Sequence, residues 1–180
     1  MIVILDASTL INLDYGEVLS DVLSLPNRDF KISETVLQES KTVVRAIQVA
    51  IRRGDIEWVD ASVVDADDYK NALLEWGLGA GETECILAAQ ALVCTVACDD
   101  KAARKVLQRK LPSISLTGSI GLLRDIVVEG AKTVSHAYAA YQSMRAHGGY
   151  LPDYSFEGFE GFISSRGAIQ DFPDAMGLER

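Results

Sequence analysis

Acidic residues follow apolar segments of this sequence in a way that suggests metal chemistry. Asp6 comes directly after the apolar run "IVIL", and Asp99 and Asp100 come directly after "VCTVAC". Carboxylate oxygens are the ligands that Mg²⁺ and Mn²⁺ prefer, and such ions activate water and neutralise charge on a phosphoryl group. The alternative is that each aspartate does no more than cap the helix that follows it.

Two predicted helices contribute further carboxylates. At 100° per residue, Glu39 lies on one apolar stripe with Val36 and Val43, where a carboxylate needs a metal, a hydrogen-bond donor or a basic partner from this chain. In the segment "GAGETECILAAQ", Glu82 and Glu84 point about 200° apart on a helix, so we expect only one of them to face a shared site. Because this segment is apolar nearly all round, its periodicity does not choose between them.

Basic residues cluster beside these acids. Residues 101–110 contain five Lys and Arg residues and no acid. Such cations could hold a nucleic-acid backbone while a metal acts on the scissile bond, and Lys101, Arg104 and Lys105 are the candidates. The alternative is an ordinary solvated helix face.

The elements that must position these residues alternate along the chain. The predicted strands are 2–5, 30–32, 56–59, 93–98 and 114–116, and the predicted helices are 10–25, 33–54, 65–77, 79–92, 99–110 and 117–130. This alternation, with continuously apolar strands, predicts an α/β fold with a mostly parallel sheet covered on both faces. Right-handed crossovers keep the strands parallel, so we expect Asp6 and Asp99 at the same edge of the sheet.

Composition limits the classes of function. The chain has 180 residues and a net charge of −9, so binding of nucleic acid would need a local basic patch or bound cations. His136 and His147 both lie beyond the alternating elements, so general-base histidine chemistry is not expected. With no secretory signal pattern and no apolar stretch of ~18–20 residues, we expect a cytoplasmic protein without a membrane segment.

The C-terminal part differs from the rest. Eight of the 13 aromatic residues lie within residues 138–172, and "FEGFEGF" places a phenylalanine at every third position. A disordered tail would be poor in aromatic residues. We therefore predict a core domain over 1–130 and a helical, aromatic-rich extension over 131–180 that packs on the core or on a partner.

Five segments together resemble a known family. They are "VILDASTLINL", "SETVLQE", "GAGETECILAA", "VACDDKAARKV" and "LTGSIGLL", in this order over residues 1–130. The pattern resembles the PIN domain family, and more narrowly the PilT N-terminus and VapC-like toxin ribonucleases. The resemblance implies a three-layer α/β/α sandwich with a central parallel sheet and a Mg²⁺- or Mn²⁺-dependent endoribonuclease.

The resemblance also implies roles for particular residues. The metal-binding and catalytic acids of the family would correspond to Asp6, Glu39, Glu84 and Asp99, and Asp100 is a further candidate metal ligand. Ser8 would orient Asp6, and Asn12 lies one helical turn further on. Two departures stand out: a glutamate occupies the third acidic position, where many relatives have aspartate, and the last acid is doubled.

Partners follow from the same resemblance. The substrate would be RNA, and a toxin would pair with a small antitoxin that covers the acidic cleft and inserts a basic side chain. Toxin relatives commonly form homodimers. The alternative from a different class is a non-catalytic PIN-like interaction module that recruits a protein partner through its C-terminal extension.

Overall fold

Five short parallel strands form the central sheet. The structure is a computed structural model, and it describes residues 1–165. The strands are β1 (Ile2–Leu5), β2 (Asp29–Ile32), β3 (Glu57–Trp58), β4 (Thr95–Ala97) and β5 (Ser115–Thr117). Their order in the sheet is β3-β2-β1-β4-β5, and every pairing is parallel. The predicted α/β fold with a central parallel sheet is confirmed.

Helices complete the three-layer α/β/α arrangement. They are α1 (Ala7–Tyr15), α2 (Leu19–Leu23), α3 (Glu34–Glu39), α4 (Val44–Arg53), α5 (Ala66–Trp76), α6 (Ala80–Leu92), α7 (Lys101–Lys110), α8 (Ser119–Val128), α9 (Val134–Ala146) and α10 (Phe156–Ser164). Helix α6 packs on β1 and β4, α8 packs on β5, and α1 packs on α8 and α9. Within residues 1–165, no helix combines the length and the apolar character needed to cross a membrane.

The long helix predicted over 10–25 is wrong in its bounds. Helix α1 begins earlier, at Ala7, because the Asp6 side chain caps it by accepting the N–H of Ser8. It ends at Tyr15, and Glu17 then adopts a left-handed φ of 56°, which breaks the helix before α2. The earlier start makes Asp6 a cap as well as the residue that ends β1.

The helix predicted over 33–54 is also two helices. Its expected ends are correct, since Ser33 caps α3 and Gly54 ends α4 in the left-handed conformation. Between them, the Ser40 hydroxyl donates to the Val36 carbonyl at 2.7 Å, and the chain turns before α4 begins. Serine side chains offer the backbone such local hydrogen bonds and weaken the continuation of a helix.

The described part of the C-terminal extension packs on the protein's own core. Helix α9 lies against α1 and α8, and α10 lies against α8 and α9. Tyr141 and Phe159 are completely buried, with ring centroids 5.2 Å apart. Phe172 of the predicted extension lies outside the described residues. The domain boundary at 130 stays a prediction, although five aromatic residues beyond it join the same hydrophobic core: Tyr138, Tyr141, Tyr154, Phe159 and Phe162.

Candidate functional site

The carboxyl ends of β1 and β4 bring two aspartates together. The N–H of Asp6 donates to the carbonyl of Ala97 at 2.9 Å, which extends the pairing of the two strands by one step. Ser8 connects the side chain of Asp6 to the backbone of Asp99. Its hydroxyl donates to Asp6 Oδ2 at 2.5 Å and accepts the N–H of Asp99 at 3.1 Å. The parallel topology thus places both acids at one edge of the sheet.

Asp6 is buried, and one of its two carboxylate oxygens has no hydrogen-bond partner among the described residues. Its side chain is 1% exposed, and Oδ2 accepts hydrogen bonds from Ser8 and from the Cys98 thiol at 3.4 Å. Oδ1 is buried and has no hydrogen-bond partner among the described residues. Burial raises the pKa of Asp6 even though these hydrogen bonds act to lower it. A buried carboxylate oxygen without a donor is costly unless a cation supplies the missing interaction.

Asp99 differs because protein donors engage both of its oxygens. Oδ1 accepts the backbone N–H of Ser119 at 2.9 Å. Oδ2 accepts from Asn12 Nδ2 at 2.8 Å, from the Thr9 hydroxyl at 3.5 Å and from the Ser119 hydroxyl. Gly118 leaves room for this arrangement, since a methyl group there would overlap Asp99 Oδ1. These contacts hold the carboxylate of Asp99 in one orientation.

Helix α6 places Glu82, rather than Glu84, in the pocket with the aspartates. Glu82 lines a pocket that Asp99 and Asp100 also line, and Glu84 does not. Burial raises the pKa of Glu82, and the negative charges of Asp6, Glu39 and Asp100 raise it further. One oxygen of each glutamate, Oε2, is buried without a hydrogen-bond partner among the described residues. The pocket lining therefore includes Glu82 and not Glu84, and the correspondence of Glu84 to the third acid of the family stays a prediction.

Glu39 ends α3, and its side chain reaches the start of α6 without being buried. The predicted apolar stripe does bury Val36 and Val43, whereas Glu39, the last residue of α3, is exposed. Its Oε1 accepts the N–H of Gly81 at 3.1 Å, one residue before Glu82. The expectation of a buried carboxylate is therefore wrong, while the expected need for a donor is met by a backbone N–H.

The pocket has a volume of about 250 Å³ and two walls. One wall carries polar and acidic residues from the sheet edge and α6, and the other comes from the segment after α9. The lining residues are Ser8, Ile11, Asn12, Glu82, Asp99, Asp100, His147, Gly148, Gly149 and Tyr150. Within residues 1–165, no group of three or more His, Cys, Asp or Glu residues is arranged to hold a metal ion.

The sequence reasoning missed several of these residues. Thr9 and Ser119, which hold Asp99, carried only a weak signal: a hydroxyl at the end of a strand or at the start of a helix. The sequence reasoning gives no role to His147, which lies beyond the alternating elements, yet this residue lines the pocket together with Tyr150. No local pattern could have found these two, since helix packing brings them there.

The candidate RNA-binding cations on α7 differ in environment. Lys101 and Lys105 are exposed. Arg104 Nη1 donates to the carbonyls of Cys98 at 2.7 Å and Thr117 at 2.8 Å, joining the ends of β4 and β5. Burial lowers the pKa of Arg104. The RNA-binding role stays a prediction for all three, and the internal contacts of Arg104 compete with it.

The fold and the pocket together define a class of protein. The chain is an α/β/α domain with a five-stranded parallel sheet and acids gathered at the carboxyl edge, the edge where such sheets build their sites. The chain belongs to the PIN domain family: a family model described as a PIN domain matches residues 2–159. PIN domains are often nucleases. No curated protein and no solved structure matches this chain.

Proposed function

We propose that this chain is a Mg²⁺- or Mn²⁺-dependent endoribonuclease whose site is the acidic pocket at the edge of the sheet. The observation that carries the proposal is the buried, unpartnered Oδ1 of Asp6 beside the pocket of Glu82, Asp99 and Asp100. The donor set consists of carboxylate oxygens, which suits a hard divalent cation. Its negative charges also act on one another, as the raised pKa of Glu82 indicates.

Asp6 and Glu82 would hold the ion, with Asp99 and Asp100 beside them. Mg²⁺ in phosphoryl-transfer sites is often held by one or two carboxylates, water and substrate phosphates, so the proposal does not require a cage of three protein ligands. When bound, the ion supplies an activated water and stabilises charge on the phosphodiester. Glu39 and Glu84 stay candidates from the family resemblance.

The chain's other residues would orient these acids and hold the RNA. Ser8 occupies Oδ2 of Asp6 and so leaves Oδ1 for the ion. Asp100 caps α7, because its Oδ1 accepts the N–H of Ala103 at 2.8 Å. That cap fixes the start of the helix on which Lys101 and Lys105 are exposed, and these cations would hold the RNA backbone.

A matched pair of variants on one helix tests the site. Purified wild-type protein should cleave single-stranded RNA with Mn²⁺ and not with EDTA. We expect Glu82→Gln to lower kcat/KM at least about a hundredfold, because metal stabilisation of the transition state contributes several kcal/mol. Glu84→Gln removes the same charge from the same helix outside the pocket lining and should lower kcat/KM less than about tenfold.

Each result of that pair has a defined meaning. If Glu84→Gln is the more damaging variant, the position suggested by the family resemblance is the functional one and the pocket assignment is wrong. If neither variant changes the cleavage rate, the observed cleavage does not belong to this site.

The second candidate is a non-catalytic PIN-like module. The observation that favours it is Asp99, whose oxygens are both engaged by protein donors, as in a carboxylate with a structural role alone. Failure of the wild-type protein to cleave any RNA with Mn²⁺ or Mg²⁺ would support this candidate. Pairing with a small antitoxin and homodimer formation stay predictions from the family resemblance.

A further inference from the structure

Four consecutive residues of the C-terminal extension form one wall of the acidic pocket. They are His147, Gly148, Gly149 and Tyr150, here called the pocket loop, and they face a wall that includes Asn12, Glu82 and Asp99. The proposed function uses only the acidic wall. The aromatic wall has a different chemistry, which needs its own explanation.

The pocket loop is fixed in place by backbone hydrogen bonds and close packing. The N–H of Gly149 donates to the Met144 carbonyl at 2.9 Å, and the N–H of Leu151 donates to the Gly149 carbonyl at 2.9 Å. A methyl group on Gly149 would lie 2.6 Å from Asn12 Oδ1 and 2.8 Å from the Met144 carbonyl oxygen. Only glycine allows this approach to Asn12, the residue that donates to Asp99.

His147 is held with a defined orientation. Its ring stacks on Tyr15 of α1, with centroids 4.6 Å apart and planes 10° from parallel. Nδ1 lies 2.8 Å from the carbonyl oxygen of Ser143, which can only accept, so Nδ1 is the protonated nitrogen. Ser143 in turn donates its hydroxyl to the Tyr15 carbonyl at 2.7 Å. The imidazole is therefore a rigid aromatic surface at the pocket.

Within residues 131–165, Tyr150 is the aromatic residue that makes no contact with another aromatic ring. Its side chain is 87% exposed and makes no ring contact or hydrogen bond with the described residues. The other aromatic residues of 138–162 pack in ring pairs with one another: Tyr138, Tyr141, Tyr154, Phe156, Phe159 and Phe162. An exposed ring on the rim of a pocket offers a flat apolar surface to a ligand.

We propose that the pocket loop binds a nucleobase, with Tyr150 stacking on the base of a nucleotide beside the bond that the acidic wall cleaves. The inference rests on the proposed function and adds a base-binding residue to it. Bases of single-stranded RNA are accessible and stack on aromatic side chains, whatever their sequence. In a pocket whose acids repel phosphate, a neutral aromatic ring supplies affinity without adding to that repulsion.

Binding of a short RNA measures this stacking directly. All proteins carry Asp6→Asn, in which we expect no cleavage, and the probe is a fluorescein-labelled oligoadenylate of about eight nucleotides in Mg²⁺. We expect Tyr150→Ala to weaken Kd about tenfold by fluorescence anisotropy, and Tyr150→Phe to stay within about twofold of the parent protein. Trp58→Ala, which removes an exposed ring on β3 outside the pocket lining, is the control and should leave Kd unchanged.

A second probe separates stacking from other effects. An abasic oligomer of the same length should bind the Asp6→Asn parent about as weakly as oligoadenylate binds the Tyr150→Ala variant. Equal Kd values for Tyr150→Ala and its parent overturn the proposal. So does an equal loss in Tyr150→Phe, which would assign the effect to the hydroxyl.

The two proposals fail in different ways. If RNA binding depends on Tyr150 but the wild-type protein cleaves no RNA, the proposed nuclease activity is rejected and base binding by the pocket loop is supported. If the wild-type protein cleaves RNA with Mn²⁺ but Tyr150→Ala does not change Kd, base binding by the pocket loop is rejected and the nuclease activity is supported. Absence of any binding to oligoadenylate overturns the base-binding wall.

Discussion

Asp6→Asn should abolish Mn²⁺-dependent RNA cleavage and, in the same protein, the stabilisation by Mn²⁺. Asparagine keeps an acceptor for Ser8 but loses the negative charge of the buried, unpartnered oxygen that we propose as a metal ligand. We expect kcat/KM to fall at least about a hundredfold. At a Mn²⁺ concentration about 100 times Kd, the wild-type protein should gain about 2.7 kcal/mol in free energy of unfolding, and the variant much less.

Thermal melts with and without Mn²⁺ provide the measurement and its control. Glu157→Gln removes an exposed carboxylate from the first turn of α10 and should respond to Mn²⁺ as the wild type does. An Asp6→Asn protein that still gains the full stabilisation would show that the ion binds elsewhere.

The same variant has a predictable dependence on pH in the absence of metal. Burial raises the pKa of Asp6, so the folded protein holds this proton more tightly than the unfolded chain does. Ionising Asp6 therefore destabilises the wild type as pH rises from the ordinary aspartate value of about 3.9 through the raised value, and the loss persists above it. Asparagine does not ionise. In EDTA, the stability of Asp6→Asn relative to wild type should increase as the pH rises above about 4.

Asp99→Asn should destabilise the fold far more than the same change at the next residue. Asp99 accepts from Ser119, Asn12 and Thr9, and an amide would turn its own N–H₂ group towards one set of these donors. Burying donors against donors costs roughly 1–3 kcal/mol for each group left unsatisfied, so we expect a loss of about 2–4 kcal/mol in free energy of unfolding.

Asp100 offers the matched control. Its carboxylate caps α7 through one hydrogen bond to Ala103, and asparagine caps helices about as well as aspartate. Asp100→Asn should therefore cost less than about 1 kcal/mol, measured by urea denaturation. Equal losses in the two variants would contradict the expectation that the donors around Asp99 require a carboxylate at that position.

Features of the site that depend on strand order could be predicted from the sequence, whereas features that depend on single side-chain contacts could not. The meeting of Asp6 and Asp99 could be foreseen, because strand polarity and right-handed crossovers bring the carboxyl ends of parallel strands to one edge. The orientation of Glu82 and Glu84 could not, because α6 is apolar on nearly every face. The break after Ser40 depended on one side-chain hydrogen bond to Val36, which a periodicity argument does not weigh.

The positions of His147 and Tyr150 at the pocket could not be predicted from the sequence for a different reason. His147 and Tyr150 reach the pocket because α9 packs on α1, and the hydrogen bond from Ser143 to Tyr15 spans 128 positions of the chain. Local spacing carries no record of such a contact. The aromatic richness of the extension predicted that it would pack, but not that Tyr150 would stay exposed and line the acidic pocket.

The close approach of Gly149 to Asn12 has a practical consequence for anyone who shortens this chain. A fragment cut near residue 130, where the composition changes, would keep every acid of the edge but would strip α1 of the helix that covers it. Such a truncation would expose the apolar side of α1 to solvent and invite self-association. Expression and crystallisation trials should therefore retain α9 and α10. A nascent chain on the ribosome would complete its pocket only after those helices emerge.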